Sequence, residues 1–191
     1  MSSSPFTAVY DACVLYPAPL RDFLVRLSQT GKFRARWSTQ IHHEWKRNLL
    51  KNRPDIDKRR LDRTSDLMDE AVPDCLVTGY EDLIAGLTLP DQDDRHVLAA
   101  AIRCHASVIV TFNGRDFPAE ILAAYGIEAQ HPDVFIDDLF DLDAAAVLLA
   151  AQRQRRGLRQ PPIDADCYLE ILLKQGLVQT CKSLAPFRLL L

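Results

Sequence analysis

The sequence contains no run of about 18 uncharged apolar residues, whereas a membrane-spanning helix requires about 20. Its first residues, MSSSPFTAVYDA, lack the basic segment and the apolar segment that together mark a secretory signal. We therefore expect no membrane partner and a cytoplasmic location.

Cysteine pairs at metal-binding or redox spacing are also missing. The chain has five cysteines, an odd number, and no C-x-x-C motif. They are scattered along the chain at Cys13, Cys75, Cys104, Cys167 and Cys181. This distribution argues against a disulfide framework and against a zinc site, and it indicates reduced thiols.

Two signals of nucleotide or nucleic-acid binding are absent. Neither a G-x-G-x-x-G nor a Walker A sequence occurs, which argues against nucleotide binding through a Gly-rich loop. The formal net charge is −3, so a nucleic-acid partner would have to bind to local basic patches. The remaining composition, 48% hydrophobic and 26% charged residues, is typical of a soluble globular protein.

Apolar, β-rich segments alternate with segments of helical spacing over most of the chain. The predicted strands are TAVYDA, RARWS, DCLVTGY and SVIVTF. The predicted helices are APLRDFLVRLSQTGKF, QIHHEWKRNLLKN, residues 57–70, DDRHVLAAAIRCHA and PAEILAAYG. Such alternation predicts crossover connections in a mainly parallel sheet, and strands without polar residues at alternate positions predict helices on both faces. The expected fold is therefore α/β with three layers, α/β/α.

The pattern changes near Asp141, where helical segments follow one another without a strand between them. The two segments are DLDAAAVLLAAQRQRRG and DADCYLEILLKQG, joined by LRQPP. We predict one domain over residues 1–140 and a helical C-terminal extension over residues 141–191.

Acidic residues stand where the predicted strands end and where one helix begins. Asp11 ends the first strand, Asp116 follows SVIVT, and Asp93 and Asp94 open the helix before that strand. In open α/β sheets, ligands bind beyond the carboxyl ends of the strands. These acids from separate segments are therefore expected to converge at one edge of the sheet.

Each acid also has a purely structural interpretation. Asp11 could cap the following helix, Asp94 could interact with a helix dipole, and Asp116 could close a turn. Glu44, on the helix QIHHEWKRNL, could be a solvated surface residue. However, Asp94 lies on the same helix face as the apolar stripe through Val97, and buried like charges raise one another's pKa unless a cation neutralises them.

Four motifs in order make the chain resemble PIN-domain ribonucleases, and in particular the VapC-like toxins of bacterial toxin–antitoxin pairs. VYDACVL resembles the first strand with its aspartate, and IHHEWKRNL resembles the helix with its glutamate. DDRHVLAAAI resembles the helix with a leading aspartate, and VTFNGRDF resembles the strand-end signature. The resemblance covers about residues 5–140.

This resemblance implies a PIN-like fold in the first domain and metal-dependent cleavage of RNA. The implied catalytic and metal-ligating residues are Asp11, Glu44, Asp94 and Asp116, with Thr111 and Asn113 in supporting roles. Asp91 and Asp93 compete with Asp94 for the third position. A ligand set of carboxylates points to Mg²⁺ or Mn²⁺. The alternative is a PIN-fold module that binds a partner without catalysis.

The resemblance also implies partners: RNA, a small antitoxin protein that occupies the acidic groove, and a second copy of the chain in a homodimer. A basic run starts two residues after Glu44, and its candidate RNA contacts are Lys46, Arg47, Lys51 and Arg53. Trp37 and Trp45 could stack on bases but better fit core positions. His96 is expected on partly exposed helix surface.

Overall fold

The structure is a computed structural model that describes residues 6–159 and 161–191. Its strands are β1 (Thr7–Tyr10), β2 (Arg34–Arg36), β3 (Val108–Val110) and β4 (Glu128–Gln130). Its α-helices are α1 (Ala12–Leu15), α2 (Ala18–Ser28), α3 (Thr39–Asn52), α4 (Lys58–Ala71), α5 (Glu81–Ile84), α6 (Arg95–Arg103), α7 (Ala119–Leu122), α8 (Pro132–Leu142), α9 (Ala144–Gly157), α10 (Ala165–Lys174) and α11 (Val178–Leu184). Short 3₁₀ helices span Ala123–Tyr125 and Ala185–Phe187.

The strands form one parallel sheet in the order β2-β1-β3-β4, which confirms the predicted sheet. Val9 of β1 pairs with Arg36 of β2 on one side and with Ile109 of β3 on the other. From β1 the chain therefore connects to β2 toward one edge of the sheet, and from β3 it connects to β4 toward the opposite edge. Because such crossovers are right-handed, their helices lie on opposite faces, and a crevice opens at the carboxyl ends of β1 and β3.

Helices cover both faces of the sheet, as expected for three layers. On one face, the Tyr10 hydroxyl donates to the Leu24 carbonyl oxygen of α2 at 3.2 Å. The Phe135 ring of α8 lies edge-on to the Tyr10 ring, with centroids 6.3 Å apart. α6 packs against β1 and β3. No helix within the described residues is long and apolar enough to cross a membrane.

The predicted C-terminal helices are present and pack onto the rest of the chain. α9 lies against α2, where Val147 and Ala150 of the AAAVLLAA stretch are buried. Gln154 of α9 donates to the Pro19 carbonyl oxygen at 2.7 Å and accepts from the Tyr168 hydroxyl at 2.7 Å. Residues 140 and 141 both lie within α8. The division into residues 1–140 and 141–191 stays a prediction.

The predicted strand DCLVTGY is wrong. Only a single bridge forms there, between Trp37 and Leu76. Asp74 has a φ of 59° and Gly79 a φ of 71°, so the chain turns on both sides of Leu76. The segment is too short between these turns to extend a ladder beside β2.

We predict that Asp133 anchors α11 to α8. Its buried carboxylate accepts from the backbone N–H groups of Gln179 and Thr180, both at 2.9 Å, and from the Thr180 hydroxyl at 2.9 Å. Asp133→Ala leaves these donors unpaired and is expected to lower the free energy of unfolding by about 2–4 kcal/mol. Urea unfolding measures this, with the exposed Asp141 on the same helix as the control through Asp141→Ala. Equal unfolding midpoints for the two variants would contradict the assignment.

Candidate active site

Asp11 lies directly after β1, at the carboxyl edge of the sheet. Its backbone N–H donates to the Val110 carbonyl oxygen of β3 at 3.1 Å, and the residue is only 2% exposed. Its carboxylate oxygen Oδ2 accepts from the Thr111 hydroxyl at 2.7 Å and from the Cys13 thiol at 3.0 Å. The side chain makes no capping bond to α1, so the capping interpretation does not explain it.

Burial raises the pKa of Asp11, and the nearby charge of Glu44 raises it further. The hydrogen bonds from Cys13 and Thr111 act in the opposite direction, because they favour the ionised form. The two donors therefore help to keep a carboxylate charged at a site from which water is largely excluded.

The end of β3 supplies the supporting residues. The Thr111 hydroxyl, which donates to Asp11, accepts from the Asn113 backbone N–H at 2.9 Å. Asp116 follows in a turn in which its N–H donates to the Asn113 carbonyl oxygen at 2.9 Å. Asp116 is half-buried and the Asn113 side chain is exposed. The turn predicted from the sequence is thus present, and the Asp116 carboxylate forms no ion pair within the described residues.

The Asp94 carboxylate interacts electrostatically with each of the other acidic residues of the site. It is 8% exposed and stands at the start of α6, where its side chain makes no capping bond. Burial first, and then the charges of four neighbouring carboxylates, raise its pKa to about 7. Those neighbours, in order of effect, are Asp11, Asp91, Glu44 and Asp116. The four acids singled out in the sequence thus share one electrostatic environment.

Asp91 and Asp93 differ from Asp94 in their surroundings. Both are exposed, and the Asp91 carboxylate accepts from the Asp93 backbone N–H at 2.8 Å in a local turn. Asp91 therefore has a structural role of its own. Of the three aspartates, Asp94 alone is buried next to the sheet.

Glu44 projects from α3 and meets α6 through a histidine. Its Oε2 lies 3.1 Å from Nε2 of His96. His96 is 4% exposed, so the prediction of a partly exposed position is wrong. Its other ring nitrogen, Nδ1, is buried without a hydrogen-bond partner among the described residues, so the Nε2–H donates to the carboxylate. His96 thereby fixes the orientation of Glu44.

The other histidines of this region do not face the acids. His42 is buried, accepts from the Trp45 indole N–H at 3.0 Å and therefore donates from Nε2 to Asp69 at 2.9 Å. Burial lowers the pKa of His42. Trp37 and Trp45 are fully buried, as their core interpretation predicts. His43 is exposed.

The donor chemistry of the acidic cluster fits a hard divalent cation. Within residues 6–159 and 161–191, Asp11, Asp94 and Asp116 form no ion pair with lysine or arginine. In the same ranges, no three His, Cys, Asp or Glu side chains converge closely enough to hold an ion by themselves. Mg²⁺ needs no such cage, because it retains several waters and binds through one or two carboxylates. The cofactor and its ligands stay predictions.

The candidate RNA contacts separate into two kinds. Lys46 donates to the Asp62 carboxylate at 2.8 Å, and Arg53 pairs with Asp55 at 2.8 Å, so both have partners within the chain. Lys51 and Arg47 are exposed and form no ion pair within the described part of the chain. Of the four candidate contacts, Arg47 and Lys51 are thus the ones available to a ligand.

Comparison with known families and proteins adds evidence independent of this geometry. The family model described as "PIN domain" matches residues 7–115, and that of the "VapC50 C-terminal domain" matches residues 132–186. The protein named "Putative ribonuclease VapC50" of Mycobacterium tuberculosis (strain ATCC 25618 / H37Rv) is 41% identical over 97 residues, which is 51% of this chain. The match spans 57% of the length of that relative. No solved structure matches the chain significantly.

We predict that Asp94 lowers the folding stability of the metal-free protein as the pH rises. Its pKa is 3.8 in the unfolded chain and about 7 when folded, so between these values the folded state binds more protons and stability falls with increasing pH. Asp94→Asn should therefore raise the melting temperature in EDTA at pH 8, with a gain that shrinks toward pH 4. For a chain of this size, each 1 kcal/mol gained corresponds to about 2–4 °C. Asp93→Asn is the exposed control, and a lower melting temperature for Asp94→Asn at pH 8 would contradict the interpretation.

Proposed function

Because this chain belongs to the PIN-domain family, we propose that it is a ribonuclease that hydrolyses RNA phosphodiesters with the help of Mg²⁺ or Mn²⁺. The family model covers Asp11, Glu44 and Asp94 as well as Thr111 and Asn113, and it ends one residue before Asp116. The partly matching relative carries the name of a ribonuclease. The activity of the whole protein is our inference, since the match spans about half of each chain.

One observation carries the proposal: Asp94 is buried at the start of α6 without a capping bond, and burial and the charges of the surrounding acids raise its pKa to about 7. If these residues served only packing or capping, asparagine or glutamine at the same positions would not reduce the stability of the fold. At neutral pH, like charges that are held together without a basic partner within the described residues ionise fully only when a positive ligand neutralises them. A divalent cation or a basic group of another protein meets that need.

The residues divide the catalytic work as follows. Asp11, Glu44, Asp94 and Asp116 would hold the ion, directly or through water. Thr111 and Cys13 orient the Asp11 carboxylate, and His96 orients Glu44. When bound, a divalent ion lowers the pKa of a coordinated water for in-line attack and stabilises the leaving oxygen. No side chain acts as a covalent nucleophile.

The same acids suit an antitoxin partner. The C-terminal family model and the partly matching relative are both named after VapC50, which favours a toxin of a toxin–antitoxin pair. A small antitoxin could place a lysine or arginine among the carboxylates and neutralise them in place of the ion. A homodimer stays a candidate assembly. The AAAVLLAA stretch is a candidate for its interface, although Val147, Ala150 and Ala151 of that stretch are buried within the chain.

We predict that Asp11→Asn abolishes metal-dependent RNA cleavage. The amide oxygen can still accept from Thr111, so the fold is kept while a ligand charge is lost. Cleavage of RNA in Mn²⁺ should fall by about 100-fold or more, which corresponds to about 2.7 kcal/mol in the barrier. EDTA should stop the wild-type reaction, and Mn²⁺ should raise the melting temperature of the wild type but not of the variant. The exposed Asp82 supplies the control, Asp82→Asn.

These measurements separate the nuclease from a non-catalytic binding module. A module would show no RNA cleavage in Mn²⁺, whatever the effect of the ion on melting. Expression in cells gives a second readout, because a catalytic toxin should slow growth whereas Asp11→Asn should not. If both forms slow growth equally, the catalytic toxin is ruled out.

We further predict that the antitoxin inhibits through a basic side chain. A partner that co-purifies with the chain should block RNA cleavage, and alanine at its contacting lysine or arginine should restore cleavage. Asp94→Asn should weaken the complex, because it removes part of the charge that the partner neutralises. A partner whose inhibition survives the loss of every lysine and arginine near the acids would exclude this mode of binding.

A further inference from the structure

A cavity of about 390 Å³ opens beside the carboxylate cluster, between α1 and α3. It is lined by Ala12, Cys13, Tyr16, Glu44, Asn48, Lys51, Asn52 and Asn113. Its volume lies within the range of about 300–1,000 Å³ that is typical of small-molecule sites. We call it the amide pocket, after its three asparagines.

The lining of the amide pocket is unlike the acidic site next to it. Apart from Glu44 and the Cys13 thiol, which also belong to the acidic site, the polar side chains are amides, one phenol and one lysine. An amide presents both donors and an acceptor, the groups that pair with the edge of a nucleobase. The aromatic ring of Tyr16 provides a surface on which a base can stack.

The walls of the pocket are fixed without a ligand. The Asn52 amide donates to the Tyr16 hydroxyl at 3.0 Å, which ties α3 to the end of α1. The buried Arg21 guanidinium donates to the carbonyl oxygens of Leu15 at 2.6 Å and Tyr16 at 3.2 Å. It also stacks over the Trp45 ring of α3, 4.6 Å from the centroid. A preformed wall lowers the entropic cost of ligand binding.

The pocket is continuous with the proposed catalytic residues. Glu44 and Cys13 belong to both, and the Cys13 thiol donates to the Asp11 carboxylate. Along α3, Lys51 follows Glu44 by seven residues, a rise of about 10 Å at 1.5 Å per residue. An RNA strand that crosses the pocket therefore passes from the carboxylates at one end to Lys51 at the other, and Lys51 forms no ion pair within the described residues.

We propose that the amide pocket binds one unpaired nucleotide of the RNA, next to the phosphodiester held at the carboxylates. The base stacks on Tyr16, the amides of Asn48 and Asn113 contact its edge, and Lys51 pairs with a phosphate farther along the strand. This assignment rests on the proposed ribonuclease function, and it names the residues that contact the base beside the acidic site. The base in the pocket sets the preference of the enzyme for one sequence over another.

Binding to the metal-free protein tests the pocket separately from catalysis. Fluorescence anisotropy in EDTA measures the affinity for labelled oligomers of adenosine, cytidine and uridine, and for an oligomer with one abasic position. We expect Asn48→Ala and Tyr16→Ala to weaken binding of the preferred oligomer by about tenfold, and to reduce the preference among bases. Lys51→Ala should weaken all oligomers alike and lower the slope of log affinity against log salt by about one.

Lys182→Ala, on α11, is the matched control for Lys51, because Lys182 is exposed and lies outside the pocket. Tyr16→Phe keeps the ring and should retain most of the affinity. Unchanged melting temperatures show that the variants fold, and a variant that unfolds is replaced by Asn48→Ser or Tyr16→Leu.

The pocket assignment is overturned if Asn48→Ala and Tyr16→Ala bind all oligomers as the wild type does, or if the abasic oligomer binds equally well. Failure of the proposed function has a different signature, namely no RNA cleavage by the wild type in Mn²⁺. In Mn²⁺, Asn48→Ala should slow RNA cleavage, whereas Lys182→Ala, outside the pocket, should leave it unchanged.

Discussion

Parallel pairing of β1 with β3 is the constraint on which the site depends. These strands are separated by about half of the chain, and their register brings Asp11 next to Val110 and Thr111. The Thr111 hydroxyl then donates to the buried Asp11 carboxylate across this junction at 2.7 Å. Since the connections from the two strands run over opposite faces, their carboxyl ends are left open to a ligand. The topology of the sheet thus creates the crevice, and the two residues after the strands determine its chemistry.

The buried like charges of the acidic cluster are electrostatically unfavourable, and the surrounding structure offsets this free energy only in part. Hydrogen bonds from Thr111 and Cys13 favour the ionised form of Asp11, and His96 holds Glu44. Within the described residues, the Asp94 carboxylate accepts no such hydrogen bond, and burial, followed by the charges of the neighbouring carboxylates, raises its pKa to about 7. Natural proteins store unfavourable electrostatics of this kind chiefly where a ligand later relieves them. Asp11 and Glu44 thus have hydrogen-bond donors within the protein, whereas Asp94 depends most on a positive ligand for its ionisation.

Much of the fold follows from the sequence, because β1, β3, α3, α6 and α9 each have a clear apolar pattern. β4 was not predicted, since Glu128–Gln130 is short, polar and at the sheet edge, where tertiary pairing decides the structure. α8 was missed although its signals are present, with Pro132 at the first turn and a capping bond from Asp133 N–H to the His131 ring. Asp11, Asp94 and Asp116 could be proposed from the sequence because they stand at strand ends or at a helix start, whereas Glu44, within α3, was proposed from the family resemblance. Tyr16, Asn48 and Asn52 were missed, because polar residues on a helix look solvated until the neighbouring element is placed beside them.

The C-terminal helices contribute to the same region although they supply none of the acids. Gln154 of α9 donates to the carbonyl oxygen of Pro19, three residues after Tyr16, and thereby fixes the first turn of α2. Arg21, in that first part of α2, holds the backbone of Leu15 and Tyr16 by its guanidinium group. One chain of buried polar contacts therefore leads from α9 through α2 to the wall of the amide pocket. Because these contacts are short and largely shielded from water, each is strengthened by the low local dielectric. The helical C-terminal part thus stabilises the position of the residue that is proposed to stack on RNA.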